Sequence, residues 1–146
     1  FGLLDNYIPL IVPTIAAPVV YFFMLQYMQG SLPLEIVEAA RIDGSNEFKT
    51  FNAIVLPIMK PAIAVQAIFA FVSNWNNYFT PNLIIRSQKL FTLPIVIAKL
   101  RAADFTSFDN GKIYMAMVLS ILPVVVVYLI LSRYIIKAVA VGSVKG

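Results

Sequence analysis

Three long uncharged stretches alternate with two polar ones along this chain. The first runs from Ile8 to Met28, 21 residues without a charge, close to the roughly 20 that a helix needs to cross a hydrocarbon core. Pro9, Pro13 and Pro18 fall within it, and prolines are tolerated in such spans where neighbouring helices satisfy the freed carbonyls. Tyr7 and Tyr27 flank it as interfacial aromatics do. The second stretch covers 61–79, with Lys60 at its edge. Its first half is apolar, whereas its second half carries Gln66, Ser73, Asn74, Asn76 and Asn77 around Trp75. The third covers 113–131, 19 uncharged residues with Pro123 in the middle and Arg133 and Lys137 just beyond. The pattern predicts an all-α integral membrane protein with three transmembrane helices at 8–28, 61–79 and 113–131. A buried helix of a soluble protein is a poorer reading of runs this long.

Between the first two stretches lies the most polar segment, 32–57. It holds Glu35, Glu38, Asp43 and Glu47, four of the seven acidic residues. It reads as two short helices joined at one glycine. Ser31 is a candidate N-cap, with Pro33 in the first turn, where a missing N–H is harmless. Glu35, Glu38 and Arg41 recur at steps of three as a polar stripe, with Leu34, Ile36, Val37, Ala40 and Ile42 on the other sides. Gly44 stops the helix, since glycine takes a left-handed position without steric penalty. Ser45 is a candidate cap for the second helix, which carries Glu47 in its first turn and Phe48 and Phe51 on one face. Pro57 ends that helix or opens the next. Pattern alone is met equally well by an amphipathic hairpin lying on a membrane surface.

Amides inside a span are expensive unless they face protein or water. Gln66, Asn74 and Asn76 are therefore candidates for a polar path or for pairing with a partner. Asn77 and Tyr78 read better as anchors at the interface. The second polar segment, 80–112, carries Arg86, Lys89, Lys99, Arg101 and Lys112 together with Asp104 and Asp109. Its apolar run Leu90 to Ala98 is too short to span and suits a re-entrant or interfacial piece. A connection of this length usually has a function. The tail, 132–146, is small and polar at its end, and its simplest reading is a frayed terminus.

Composition sharpens this picture. The chain is 60% hydrophobic and only 12% charged, far from a soluble average. The net charge of +4 is spread along the chain, not gathered into the stripe that nucleic-acid binding needs. With no histidine and no cysteine, the commonest general base, metal ligands and nucleophile are missing. No Gly-x-x-x-x-Gly-Lys-Ser/Thr loop occurs, so ATP hydrolysis cannot be this chain's own work. Asp104 and Asp109 have basic neighbours and read as solvated charges. Six basic residues fall on the side of segment 32–57 and the tail, and five on the other, too even for charge to set the orientation.

One spacing is specific. Glu38-Ala39-Ala40, three residues, Gly44, nine residues, then Ile54-Val55-Leu56-Pro57 resembles the EAA loop of ABC-importer permeases. Lys60-Pro61, Ser73-Asn74-Trp75-Asn76, Thr92-Leu93-Pro94 and Gly142-Ser143-Val144-Lys145-Gly146 extend the likeness to the maltose-type permeases of carbohydrate importers. The resemblance implies a multi-pass subunit of the bacterial inner membrane that is not itself an enzyme. It implies that the hairpin 32–57 is cytoplasmic and couples to an ATPase through Glu38, Ala39, Ala40, Arg41, Asp43 and Gly44. It further implies an extracytoplasmic 80–112 facing a solute-binding protein, and a possible tail contact with the ATPase at Gly142, Ser143, Val144 and Lys145. The partners expected are an ATPase dimer, a second permease, a solute-binding protein and the bilayer. No cofactor is expected in this chain, ATP and Mg residing on the partner subunit. Family members have about six spans and this chain has room for three, so the resemblance implies the C-terminal part of a longer permease. The rival class is a secondary transporter or another polytopic membrane protein with an interfacial hairpin. An intramembrane enzyme is disfavoured, because the spans hold no titratable groups beyond tyrosines and edge charges.

Overall fold

The computed structural model describes residues 2–102 and 110–143. Every regular element among them is helical: α1 (Ile8–Ile15), α2 (Pro18–Ser31), α3 (Leu34–Ile42), α4 (Glu47–Thr50), a π-helical segment (Phe51–Val55), α5 (Leu56–Trp75), α6 (Phe79–Ile84), a 3₁₀ turn (Gln88–Leu90), α7 (Leu93–Ala102) and α8 (Asn110–Ser143). Three stretches are long and apolar enough to cross a membrane, Ile8–Ser31, Glu47–Trp75 and Asn110–Ser132. Their number agrees with the uncharged runs, but their limits differ for physical reasons.

The first stretch is broken at Ala16 and Ala17. Pro18 disfavours the helical conformation at the residue before it, and Ala16 has left the helix at φ −105° and ψ 74°. Pro13 removes one backbone donor inside α1, while the Thr14 hydroxyl donates to the Ile11 carbonyl at 2.7 Å. The second helix neither begins at 61 nor reaches 79. It starts at Glu47 and runs without interruption through the π segment to Trp75, and Phe79 opens α6. Pro57 is the second residue of α5, which follows the π segment without a break. It has no N–H for the Ala53 carbonyl, and its ring would press on that group. The wide π turn over Phe51–Val55 sits where this misfit falls, as such turns often do. The third helix runs on past 131 to Ser143, so Gly142 and Ser143 are helical instead of frayed. Val144 and Lys145 lie outside the described residues. Segment 80–112 is not an open loop, since α6, the 3₁₀ turn and α7 occupy most of what is described of it.

The chain divides into two compact units. One comprises Phe1–Ala17 and Ala70–Tyr128. Trp75 ties it together: its Nε1 donates to the Ser120 carbonyl at 2.9 Å, and its ring stacks on Phe71 at 5.5 Å. The chain before α1 is strapped to the segment after α6. Asp5, left-handed at φ 56°, donates its N–H to the Ile84 carbonyl at 2.9 Å. Its carboxylate accepts from the backbone N–H groups of Arg86 and Ser87 at 3.0 and 2.7 Å. Tyr7 adds a hydroxyl bond to the Leu90 carbonyl at 2.8 Å, and Lys99 lies 4.6 Å over the Phe91 ring. Ile95 of α7, the apolar residue between these basic ones, is fully buried.

The other unit comprises Pro18–Phe69 and Leu129–Gly146 and contains the hairpin. Met59, Ala62, Ala64 and Ile68 of α5 are its buried apolar residues among those described, and small residues such as the two alanines let helix backbones approach closely in membranes. α2 has no buried residue. Val19 is 78% exposed and Tyr21 70%, surface that suits lipid or partner helices and not water.

Candidate functional site

The hairpin is built from its caps. α2 continues through Ser31, with the Leu32 N–H bonded to the Met28 carbonyl at 2.9 Å, so Ser31 belongs to the preceding helix and does not cap α3. Pro33 holds the N-cap position in extended conformation, with no side-chain cap, and its carbonyl accepts from Ile36 at 3.3 Å. Glu35 occupies the first turn, where the helix dipole favours a negative charge.

The C-terminal end of α3 is a Schellman motif. Gly44 is left-handed at φ 77°. Its N–H reaches the Arg41 carbonyl at 3.0 Å, and the Ser45 N–H reaches the Ala40 carbonyl at 2.9 Å, the paired bonds that define this stop. Ser45 is thereby committed to the helix behind it. The next residue takes over as cap: the Asn46 carboxamide oxygen accepts from the Lys49 N–H at 2.8 Å. Ser45 is not the cap of α4, and its hydroxyl instead accepts from that of Thr50 at 3.0 Å, where Thr50 is buried.

The polar stripe also divides. Arg41 turns across the glycine to Glu47, with Nε 2.8 Å from Oε1. The hydrogen bond to Glu47 and the charges of Glu47 and Glu38 raise the pKa of its guanidinium, holding it more firmly protonated than usual. The pair is exposed, so it guides the turn geometry more than it stabilises the fold. Glu38 makes no hydrogen bond or ion pair among the described residues and acts on Arg41 through its charge alone. Asp43 is the α3 C-cap, its N–H bonded to the Ala39 carbonyl at 3.0 Å. Glu38, Ala39, Arg41, Asp43 and Gly44 are all exposed, and Ala40 is half-buried. Around them Leu34, Ile42 and Phe48 are 69, 86 and 79% exposed. The hairpin thus offers an unpaired Glu38 carboxylate on a surface where exposed apolar and charged side chains alternate.

Of the amides singled out in the sequence, Asn74 lines a cavity of about 510 Å³, together with Asn77, Thr80 and Thr92 and the prolines of α1. Gln66 and Asn76 are not part of its wall. Asn74 and Asn76 each donate to the carbonyl four residues back, Ala70 at 2.7 Å and Val72 at 2.9 Å. Two residues turn a helix by about 200°, so these two cannot share a face. Asn77, read from sequence as an anchor, lines the cavity and accepts from the Thr80 N–H at 3.3 Å. Among the described residues no group of His, Cys, Asp or Glu is placed to hold a metal ion.

Known proteins resemble this chain. The family described as "Binding-protein-dependent transport system inner membrane component" matches residues 1–141. The arabinooligosaccharides transport system permease protein AraQ of Halalkalibacterium halodurans is 40% identical over 144 residues, covering 99% of this chain and 50% of the relative. AraQ of Bacillus subtilis is 38% identical over 147 residues with the same shares. The lactose transport system permease protein LacG of Rhizobium radiobacter is 31% identical over 144 residues, covering 99% of this chain and 51% of the relative. The chain therefore spans about half the length of the curated relatives it matches. A crystal structure of a bacterial ABC transporter involved in the import of the acidic polysaccharide alginate superposes with a TM-score of 0.76 at 25% identity, over 92% of this chain and 52% of that one. With three helices long and apolar enough to cross a membrane and a family match over nearly its whole length, this chain belongs to the family of inner membrane components of binding-protein-dependent transport systems.

Proposed function

We propose that the chain forms part of the permease subunit of an ABC importer for carbohydrate, working by alternating access driven by a separate ATPase. The observation that carries the reading is the Glu38-Ala39-Ala40 helix, closed by a left-handed Gly44, with an exposed, unpaired Glu38 and the largely exposed apolar side chains of Leu34, Ile42 and Phe48 on the same hairpin. Such a surface fits a groove on a partner better than water. The second arm of the hairpin is continuous with the spanning helix Glu47–Trp75, which supports it as a coupling element. A push on α4 is delivered to the base of the span through the π segment, not through a flexible linker.

In this reading residues 32–57 face the cytoplasm and contact the ATPase through Glu38, Ala39, Ala40, Arg41, Asp43 and Gly44. ATP and Mg are bound by that subunit. The spans lie within Ile8–Ser31, the part of Glu47–Trp75 that follows residue 57, and Asn110–Ser132. Residues 76–109 lie outside, towards a solute-binding protein. A second permease, identical or different, completes the path, with Asn74 on it and Gln66 and Asn76 as further candidates. The end of α8, with Gly142 and Ser143 and then Val144 and Lys145, forms a second ATPase contact. The carbohydrate assignment is supported by the relatives named for arabinooligosaccharide and lactose transport.

The test is uptake of arabinotriose, lactose and raffinose by vesicles carrying the full-length protein with its co-expressed partner subunits and binding protein. Uptake should require ATP and the ATP-binding subunit. Uptake that persists without that subunit and collapses with the ion gradient would assign the protein to secondary transport instead.

A further inference from the structure

We propose that the cavity between α1, the end of α5 and the starts of α6 and α7 binds an uncharged sugar residue of the transported carbohydrate. This rests on the importer reading above and names the substrate chemistry of one site on its path. The volume of about 510 Å³ lies in the ordinary range for small-molecule sites, roughly 300–1,000 Å³. No Asp, Glu, Lys or Arg lines it. An anionic ligand would leave its charge unpaired there, which is strongly unfavourable away from water.

The polar groups suit hydroxyls. One Asn74 amide N–H is taken by the Ala70 carbonyl, which leaves the second N–H to donate and the Oδ1 to accept. The Asn77 Oδ1 is taken by the Thr80 N–H, which leaves the Asn77 Nδ2 to donate. The wall thus carries amide donors and acceptors together with the side chains of Thr80 and Thr92, the complement of a neutral polyol. Pro9 and Pro13 supply an apolar side for the C–H face of a sugar ring. Thr92 gives the second observation: its Oγ1 is shielded from solvent and has no hydrogen-bond partner. Buried hydroxyls are almost always paired. Rotation about χ1 carries that hydroxyl among the staggered positions of a side chain that belongs to the cavity wall, where a ligand hydroxyl could partner it.

The experiment uses the purified complete transporter without its solute-binding protein and follows its thermal unfolding. Tens of millimolar arabinotriose, lactose or raffinose should raise the midpoint for at least one sugar, because a ligand bound only to the folded state stabilises it. Trigalacturonate, an acidic trisaccharide, should not. Thr92→Val, which removes the hydroxyl at constant shape, and Asn77→Asp, which keeps the acceptor for Thr80 but loses the donor, should each abolish most of the shift. Thr92→Ser should retain it. Without sugar, Thr92→Val should be at least as stable as the parent, since it removes an unpaired buried hydroxyl. A shift that survives in both Thr92→Val and Asn77→Asp, a shift with trigalacturonate alone, or no shift in a complex that imports a neutral sugar would overturn the cavity assignment and leave the importer reading standing. Loss of stability in sugar-free Thr92→Val would mark the hydroxyl as structural and also overturn it. A complex that imports none of the sugars tested removes the carbohydrate reading itself, and this proposal with it.

Discussion

Substitution of Gly44 isolates the turn on which the coupling reading depends. A Cβ built at this position meets no atom within 4 Å, so nothing in the chain itself obstructs a side chain. The penalty comes from the backbone, held at φ 77°, where an L-residue other than glycine is disfavoured by about 1–2 kcal/mol. Leaving that conformation would break the bonds from Gly44 to Arg41 and from Ser45 to Ala40, each worth about 1 kcal/mol net. The two costs are similar, so a substituted hairpin divides between the strained native turn and a re-aimed α4. A shift of 1–2 kcal/mol changes such a ratio roughly 5- to 30-fold, far too little to unfold three spans. Asparagine visits the left-handed region more readily than alanine, and a β-branched residue is worst there. Gly44→Asn should therefore be mildest, Gly44→Ala intermediate and Gly44→Val most severe. The assay is ATP-coupled uptake together with retention of the ATPase on membranes holding equal amounts of permease. Equal insertion with uptake falling in that order is expected. Wild-type uptake in Gly44→Val refutes the reasoning about strain. An equal defect in Asn and Val variants would replace backbone strain with a clash against the partner.

Three further expectations follow from other parts of the molecule. This chain contains no cysteine; in the full-length protein, with any cysteine outside these residues replaced, Lys49→Cys should react with an impermeant thiol reagent only after the membrane is opened, and Lys99→Cys should react in sealed cells; the reverse pattern inverts the orientation. Asp5→Ala deprives two backbone N–H groups of their acceptor, an exposed arrangement worth about 1 kcal/mol, so hydrogen exchange at Arg86 and Ser87 should quicken several-fold, and Asp5→Asn, which keeps an oxygen acceptor, should change it less. Deletion of residues 142–146 should alter coupled ATP turnover while insertion stays normal, and unchanged turnover would remove the tail contact.

The helical class and the three spans are legible from the uncharged runs, because in a bilayer every backbone group must be satisfied within the chain. The turn at Gly44 is legible too, since few residues other than glycine fit its backbone. What the sequence hides is who takes each partner at an end. Ser45 and Asn46 are both good caps, and only the recruitment of the Ser45 N–H by Ala40 decides between them. Continuity through Pro57 is hidden because a proline signals a break unless a π turn absorbs it. Asn77 shows the same limit for the cavity. Its composition matches an interfacial anchor, and its role on the wall depends on α1, some 60 residues away along the chain. The strap at Asp5 is likewise non-local, with no periodicity to reveal it.

In the proposed arrangement the hairpin is the surface on which the ATPase sits. Phe48 of α4 is 79% exposed and Phe79 of α6 is 70% exposed, so the two are chemically alike but lie near opposite ends of the helix that runs from Glu47 to Trp75. A photoreactive benzoylphenylalanine replacing either one in the full-length protein, irradiated in membranes containing the whole transporter, reads their neighbours directly. An adduct with the ATP-binding subunit is expected from position 48 and none from position 79. An adduct with that subunit from position 79 and only lipid adducts from position 48 would contradict the arrangement.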